Sequence, residues 1–408
     1  MVSPTDRVVL STFAPHVLIH ALMASVPLFI PLWLAEFDVT RATLGLAVGA
    51  LFVFYGGTAI PAGVLSDRIG SAQFIEVFLL GTGAVALGLA AVGTFWSLVG
   101  ALVGLGIAAG LYHAPAFSLI SRQEDATSKL FAYHNVGGHV GLGLGPFVMA
   151  LLLAVFDWRT SLALSAIPFG LVWLFFRYYG PREKPPHPSV ASDGGVETRQ
   201  SLRSQVKRLC TVGFVFVLGI YLLRGTYSRG SVTFLPDYLD TAANLGSLWL
   251  LGIELPAGRW VYSSMLVIGV GGQLLGGILG EHFREEGILA VQLLSTAALL
   301  VLLGVTDGLP LFGVVALFGL MMYSFPPILQ SLVAAYTPER SRGLGYGVTT
   351  AGNAAAGGFI GASLAGWLVT EWSFETMFAA LAVIPVLALL GIGVYRYTMA
   401  ERSHASLC

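Results

Sequence analysis

Residues 63–70 read Gly63-Val64-Leu65-Ser66-Asp67-Arg68-Ile69-Gly70, an acid and a base set between glycines at the end of a long apolar stretch. A degraded copy, Gly277-Ile278-Leu279-Gly280-Glu281, follows 214 residues later. Two other segments echo at nearly the same offset. Phe29-Ile30-Pro31-Leu32-Trp33-Leu34 returns after 205 residues as Phe234-Leu235-Pro236-Asp237-Tyr238-Leu239. Tyr112-His113-Ala114-Pro115 returns after 211 as Tyr323-Ser324-Phe325-Pro326. Offsets near half of a 408-residue chain describe a duplicated unit.

The solvent of that unit is lipid. The chain is 56% hydrophobic and only 11% charged, where soluble domains carry about 25% charged residues. A water-facing fold could not bury so much apolar surface, and helices satisfy their own backbone hydrogen bonds in hydrocarbon. A formal net charge of -1 gives no basis for nucleic-acid binding. The two cysteines, Cys210 and Cys408, supply neither a disulfide framework nor a metal spacing. The first apolar stretch is too long for a signal-peptide core, so it reads as a first span.

A span needs about 20 apolar residues. Twelve are expected, at residues 9–35, 43–65, 72–93, 96–120, 130–155 and 160–179, then 209–238, 260–281, 287–305, 309–335, 343–369 and 374–397. The fold class is therefore an all-α integral membrane protein of two pseudo-symmetric six-helix bundles. Residues 1–179 form the first, 209–408 the second, and 180–208 a Pro-, Gly- and charge-rich linker with room for a short surface helix. If both termini face the cytoplasm, 16 of the 21 Lys and Arg fall on that side and three (Arg41, Arg159, Arg259) on the other. That bias predicts cytoplasmic N- and C-termini.

Glycine, 51 residues in all, concentrates in spans 2, 5, 8 and 11. Small residues let helix backbones approach closely in lipid. Recurrence in both halves predicts that these four helices form the contact between halves, with Gly138, Gly141, Gly145, Pro146, Gly357 and Gly361 as the packing residues. General packing is the plainer reading.

The octapeptide at 63–70 matches the G-x-L-x-D-R-x-G signature of the major facilitator superfamily, which the chain resembles over essentially its whole length. The resemblance implies alternating access between two halves, with spans 1, 4, 7 and 10 lining a central cavity. It also implies a conformational latch on the cytoplasmic side at Gly63, Asp67, Arg68 and Gly70. The second copy has His282 and Phe283 after Glu281, so it lacks the pair. A narrower resemblance, to fosmidomycin-resistance-type, drug–proton antiporter-like members, rests on three segments. One is Asn135-Val136-Gly137-Gly138-His139-Val140-Gly141-Leu142-Gly143-Leu144-Gly145-Pro146. The others are Gly110-Leu111-Tyr112-His113-Ala114-Pro115 and the Arg224-Gly225 pair ahead of the Phe234 motif.

Ionisable groups at membrane depth are costly and mark function by default. Arg224 lies 15 residues into span 7, with Tyr221 and Ser228 on nearly the same face. It suits a carboxylate or phosphonate; a structural pairing with a carbonyl or acid is the alternative. Arg229 is turned roughly 140° from it along the helix and is expected to snorkel or pair structurally. Five of the eight histidines fall in the first half: His16, His20, His113, His134 and His139. A histidine titrates near neutral pH, and deep carboxylates are nearly absent. Any proton coupling is therefore expected through His16, His20, His113 and His139, or on the substrate itself. His134 is expected to be a loop contact. In span 10, Pro326 and Pro327 free backbone carbonyls that can line a cavity.

The expected substrate-binding set is Arg224, His20, His113, Tyr112, Tyr221, Tyr323 and Gln330. The expected function is secondary transport of a small organic anion, proton-coupled, with efflux favoured by the span-5 Gly-Pro segment. Uptake or uniport of a carboxylate or sugar is the alternative, and a His-rich intramembrane metalloenzyme a remote one, since no HExxH-type element accompanies the histidines. The expected partners are solute, protons and lipid, without nucleic acid, for a monomer in the plasma membrane with no enzymatic activity, cofactor or metal.

Overall fold

A computed structural model describes residues 4–121, 127–181, 209–243, 245–250, 253–337 and 342–405. The first half holds span 1 (Pro4–Phe37), span 2 (Arg41–Ile69), span 3 (Ser71–Ala90), span 4 (Phe95–Gly110 continued by His113–Ser121), span 5 (Thr127–Val155) and span 6 (Trp158–Tyr179). The second holds span 7 (Val212–Thr241), span 8 (Ala257–His282), span 9 (Glu285–Val305), span 10 (Leu309–Tyr336), span 11 (Arg342–Glu371, in three pieces) and span 12 (Phe374–Ala405). Ten of the described helices are long and apolar enough to cross a membrane. Span 7 carries Arg224, Arg229 and Asp237, and span 11 is interrupted, which is why these two stand apart by composition and length. The linker expectation at 180–208 lies almost wholly outside the described residues. The loop between spans 7 and 8 holds an antiparallel hairpin, β1 (Ser247–Leu250) with β2 (Ile253–Pro256), the one departure from all-α among the described residues.

Proline and glycine decide where the helices break. Pro115 has no N–H and its ring displaces the carbonyl four residues back. Span 4 accordingly tightens at Leu111 and Tyr112, whose N–H groups bond to Ala108 and Ala109. In span 11, Gly352–Gly357 winds as a π-helix, a form that recurs at functional places. At the end of span 2, Gly70 takes φ +113°, which favours glycine, and its N–H closes on the Ser66 carbonyl at 2.8 Å.

The spans alternate direction, so the helix ends at Pro4, Tyr179, Val212 and Ala405 lie at one end and residues 38–40, 156–157 and 242–243 at the far end. Outward apolar side chains such as Val394 (64% exposed) and Leu171 (61%) present a surface suited to lipid. The halves meet along two symmetric seams, span 2 on span 11 and span 5 on span 8, as glycine enrichment predicted. The particular glycines differ. A side chain at Gly138, Gly141 or Gly145 would strike His16, Val17 or Ala21 of span 1, within the first half. At Gly357 or Gly361 it would strike Gly225 or Thr226 of span 7, within the second. Pro146 is buried beside Gly145. These residues clamp each half internally. The inter-half approach belongs to Gly45, Gly49 and Gly56 on span 2, Gly143 on span 5, and Gly358 and Gly366 on span 11. The reason is geometric: a glycine stripe gives no sign of which of two flanking helices it faces.

Candidate functional site

Between the halves lies a cavity of about 480 Å³. Its first-half wall carries His16, His20, Tyr55, Asn135 and His139, and its second-half wall Arg224, Ser228, Arg229, Gln273, Tyr323 and Gln330. Among the described residues, no aspartate or glutamate lines it.

Local sequence places Arg224. Pro326 cannot donate to the Met322 carbonyl, and that carbonyl instead accepts from Arg224 Nη2 at 3.2 Å. The guanidinium also sits 5.8 Å from the Phe325 ring centroid. Its Nε is buried without a hydrogen-bond partner. On the neighbouring turn, Gly225 lets span 11 approach, and Asn353 of the π-helix donates to the Tyr221 carbonyl at 2.8 Å. Arg229 lies nearer the far end, 4.7 Å from the ring of Phe52 on span 2. It therefore reaches across the seam and lines the cavity; it does not snorkel.

The histidines gather. The rings of His16 and His134 stack at 3.9 Å, and His16 Nδ1 lies 2.6 Å from the His134 carbonyl. His20 is 4.6 Å and His113 5.1 Å from His16, ring to ring. Tyr55 Oη is 2.9 Å from His113 Nε2. His134 is no loop contact: it is 0% exposed, and neither ring nitrogen has a hydrogen-bond partner. It is buried because Gly137 and Gly138 bring span 5 against span 1.

Of the expected binding residues, Arg224, His20, Tyr323 and Gln330 line the cavity. Tyr112 does not. It is 0% exposed, and its hydroxyl donates to the Thr12 carbonyl of span 1. His113 stands behind Tyr55, and Tyr221 is buried outside the lining. Asn135, Gln273 and Tyr55 were missed because they lie on spans 5, 8 and 2, outside the four helices expected to form the wall. A polar side chain inside an apolar span was the available sign.

Nitrogens of His16, His113 and His134 all lie within 4.8 Å of one another. Two imidazole nitrogens on one zinc are at most about 4.2 Å apart, so the widest pair would have to draw closer to hold such an ion. Two guanidiniums line the cavity that His16 also lines, which opposes a further positive charge nearby.

At the far end the halves are joined. Arg41 holds Asp237 through Nε–Oδ2 at 2.5 Å and Nη2–Oδ1 at 3.2 Å. The Ala42 N–H donates to Thr370 Oγ1 at 2.8 Å, and Tyr262 donates to the Ala24 carbonyl at 2.8 Å. On the span 2–span 11 seam, inter-half glycine contacts run from Gly45 to Gly56. Gly63, further toward the terminal end, meets only Ala114 of its own half. The expected latch lies at that end. Its Asp67 and Arg68 side chains fall outside the described residues; Ser66 Oγ donates to the Gly63 carbonyl at 2.9 Å.

Two six-helix halves enclosing a polar cavity that is sealed at one end define a helical membrane protein of the transporter class. The chain belongs to the major facilitator superfamily, whose sequence profile, MFS_1, matches residues 16–258 and 250–406. It is similar to an uncharacterised MFS-type transporter, YfnC of Bacillus subtilis (strain 168), at 24% identity, covering 92% of this chain and 89% of that one. It is also similar to the 4-hydroxybenzoate transporter PcaK of Pseudomonas putida, at 24% identity over 88% and 85% of the two chains. Among solved structures, an inward-facing, occupied bacterial homologue of the lysosomal transporter Spinster superposes with TM-score 0.80 at 15% identity, over 98% of both chains. A D-xylose–proton symporter gives 0.74 at 17% identity, over 96% and 97%. The structural likenesses show the fold, as the profile shows the superfamily; neither they nor the relatives support the narrower resemblance to fosmidomycin-resistance-type exporters.

Proposed function

We propose that the protein is a secondary transporter of a small organic anion, working by alternating access as a monomer in the plasma membrane. One observation carries the reading: a cavity at membrane depth holds two arginines and, among the described residues, no carboxylate in its lining. A guanidinium there is stabilised by an anionic ligand through charge-assisted hydrogen bonds. The lysine and arginine bias supports cytoplasmic termini, and with them a cavity sealed on the outer side. The protein is a carrier rather than an enzyme.

The histidines support proton coupling. His16, His20 and His139 line the first-half side of the cavity, with His113 behind it bonded to Tyr55, His134 stacked on His16, and Arg229 on the opposite wall. The span-5 Gly-Pro segment favours efflux. The likeness to a transporter named for an aromatic carboxylate favours a second reading, uptake.

Proteoliposomes supplied with radiolabelled organic acids under an imposed pH gradient test the proposal. Accumulation of an acid that collapses with a protonophore is expected. Transport indifferent to the gradient would remove the coupling. Transport of neutral or cationic solutes only would remove the anion.

A further inference from the structure

Arg224 and Arg229, both on the second-half wall, are held by different anchors. Arg224 is fastened to span 10, through the Met322 carbonyl and the Phe325 ring. Arg229 lies on Phe52 of span 2, across the seam. Their Cα atoms are five residues apart on one helix, a rise of about 7.5 Å. Both line the same cavity, and neither has a carboxylate partner among the described residues. Two uncompensated charges facing one cavity from separate anchor points call for two negative charges at separate points. A single carboxylate satisfies one arginine and leaves the other without a counter-charge in a low-dielectric wall. The same lining offers uncharged groups, among them Ser228, Tyr323 and Gln273.

We infer that the solute is two-ended, with one anionic group held by Arg224 and a second by Arg229. This rests on the anion reading above and adds the substrate class. Arg229 is then the specificity-determining residue. Because it lies against Phe52, its engagement also reports on the closeness of the two halves.

The test is a thermal-shift titration of the purified full-length protein with glutarate and adipate, with pentanoate and hexanoate, and with inorganic phosphate. The diacids are expected to bind at least about tenfold more tightly than monoacids of equal length, as a second charge-assisted contact implies. Arg229→Gln should bring that ratio close to one, and Arg229→Lys should restore part of it. Equal affinity for diacids and monoacids would overturn the two-ended solute and leave the anion reading standing. Phosphate binding as tightly as the diacids would overturn it too, since both charges then sit on one group. A diacid preference surviving in Arg229→Gln would overturn the assignment of that residue. Stabilisation by none of these anions would overturn both readings.

Discussion

The two walls of the cavity are built from echoing sequence and carry different chemistry. The first-half wall gathers histidines, stacked across spans 1, 4 and 5. The second-half wall presents arginines from span 7, one of them fixed by a carbonyl that Pro326 leaves free. Titratable groups on one side and permanent charges on the other suggest a division of labour. On the proposed function the arginines, charged at any physiological pH, would recognise the anion, and the histidines would exchange the proton. The two walls share a repeated frame and differ at a few mid-membrane positions.

The largest test of this division is Arg224→Ala. Truncating one partner of a buried, charge-assisted contact costs about 2–5 kcal/mol of binding free energy, so anion binding should disappear while expression and folding persist. Arg224→Lys should recover only part, because a point charge replaces a planar fork.

Next in size is the pair that joins the walls at the far end. Asp237 is 1% exposed and Arg41 32%. Asp237→Ala removes a hydrogen-bonded charge worth about 1.5–3 kcal/mol to the sealed state. Cysteines placed near Thr370 should become more reactive toward a membrane-impermeant thiol reagent. Unchanged reactivity would show that the glycine seams, not the ion pair, hold that end shut.

Gly141→Ala tests what holds the histidine wall together. An added Cβ would meet the Val17 backbone, which cannot swing aside, whereas Gly57 has open space around it. Gly141→Ala should lower stability by about 1–3 kcal/mol in thermal unfolding, with Gly57→Ala close to neutral. Equal effects would refute the clamp.

The smallest effect is expected outside the membrane, at the start of span 6. Asp157 caps that helix, and bonds from the Thr160 hydroxyl and backbone hold its carboxyl below the usual carboxylate range. A depressed folded-state value means stabilisation present above the unfolded value and lost as pH falls through the folded one. Asp157→Ala should lower the melting temperature slightly at neutral pH and make no difference at strongly acidic pH.

Much of the frame was legible. Twelve apolar stretches, the duplicated motifs and the octapeptide ending at Gly70 specify the architecture, because hydropathy and helix length are local properties. Arg224, His20, Tyr323 and Gln330 were legible as well, since a polar group in an apolar span stands out wherever the span goes. What escaped depends on rotation about a helix axis. Tyr112 turns its hydroxyl to Thr12, Gly141 faces span 1 and not the other half, and Arg229 crosses to Phe52. None of these directions is encoded by spacing alone. His134, near a helix start, looked peripheral; only the close approach of spans 1 and 5 buries it.

The central claim is that anion recognition resides in the arginine wall. It is tested most directly by thermal-shift screening of wild-type protein and Arg224→Ala against organic acids, neutral sugars and organic amines. A ligand that binds only the folded state raises its melting temperature. The account predicts that acids alone stabilise the wild type and that Arg224→Ala loses this response. Stabilisation by a sugar or amine, equal in both proteins, would contradict it.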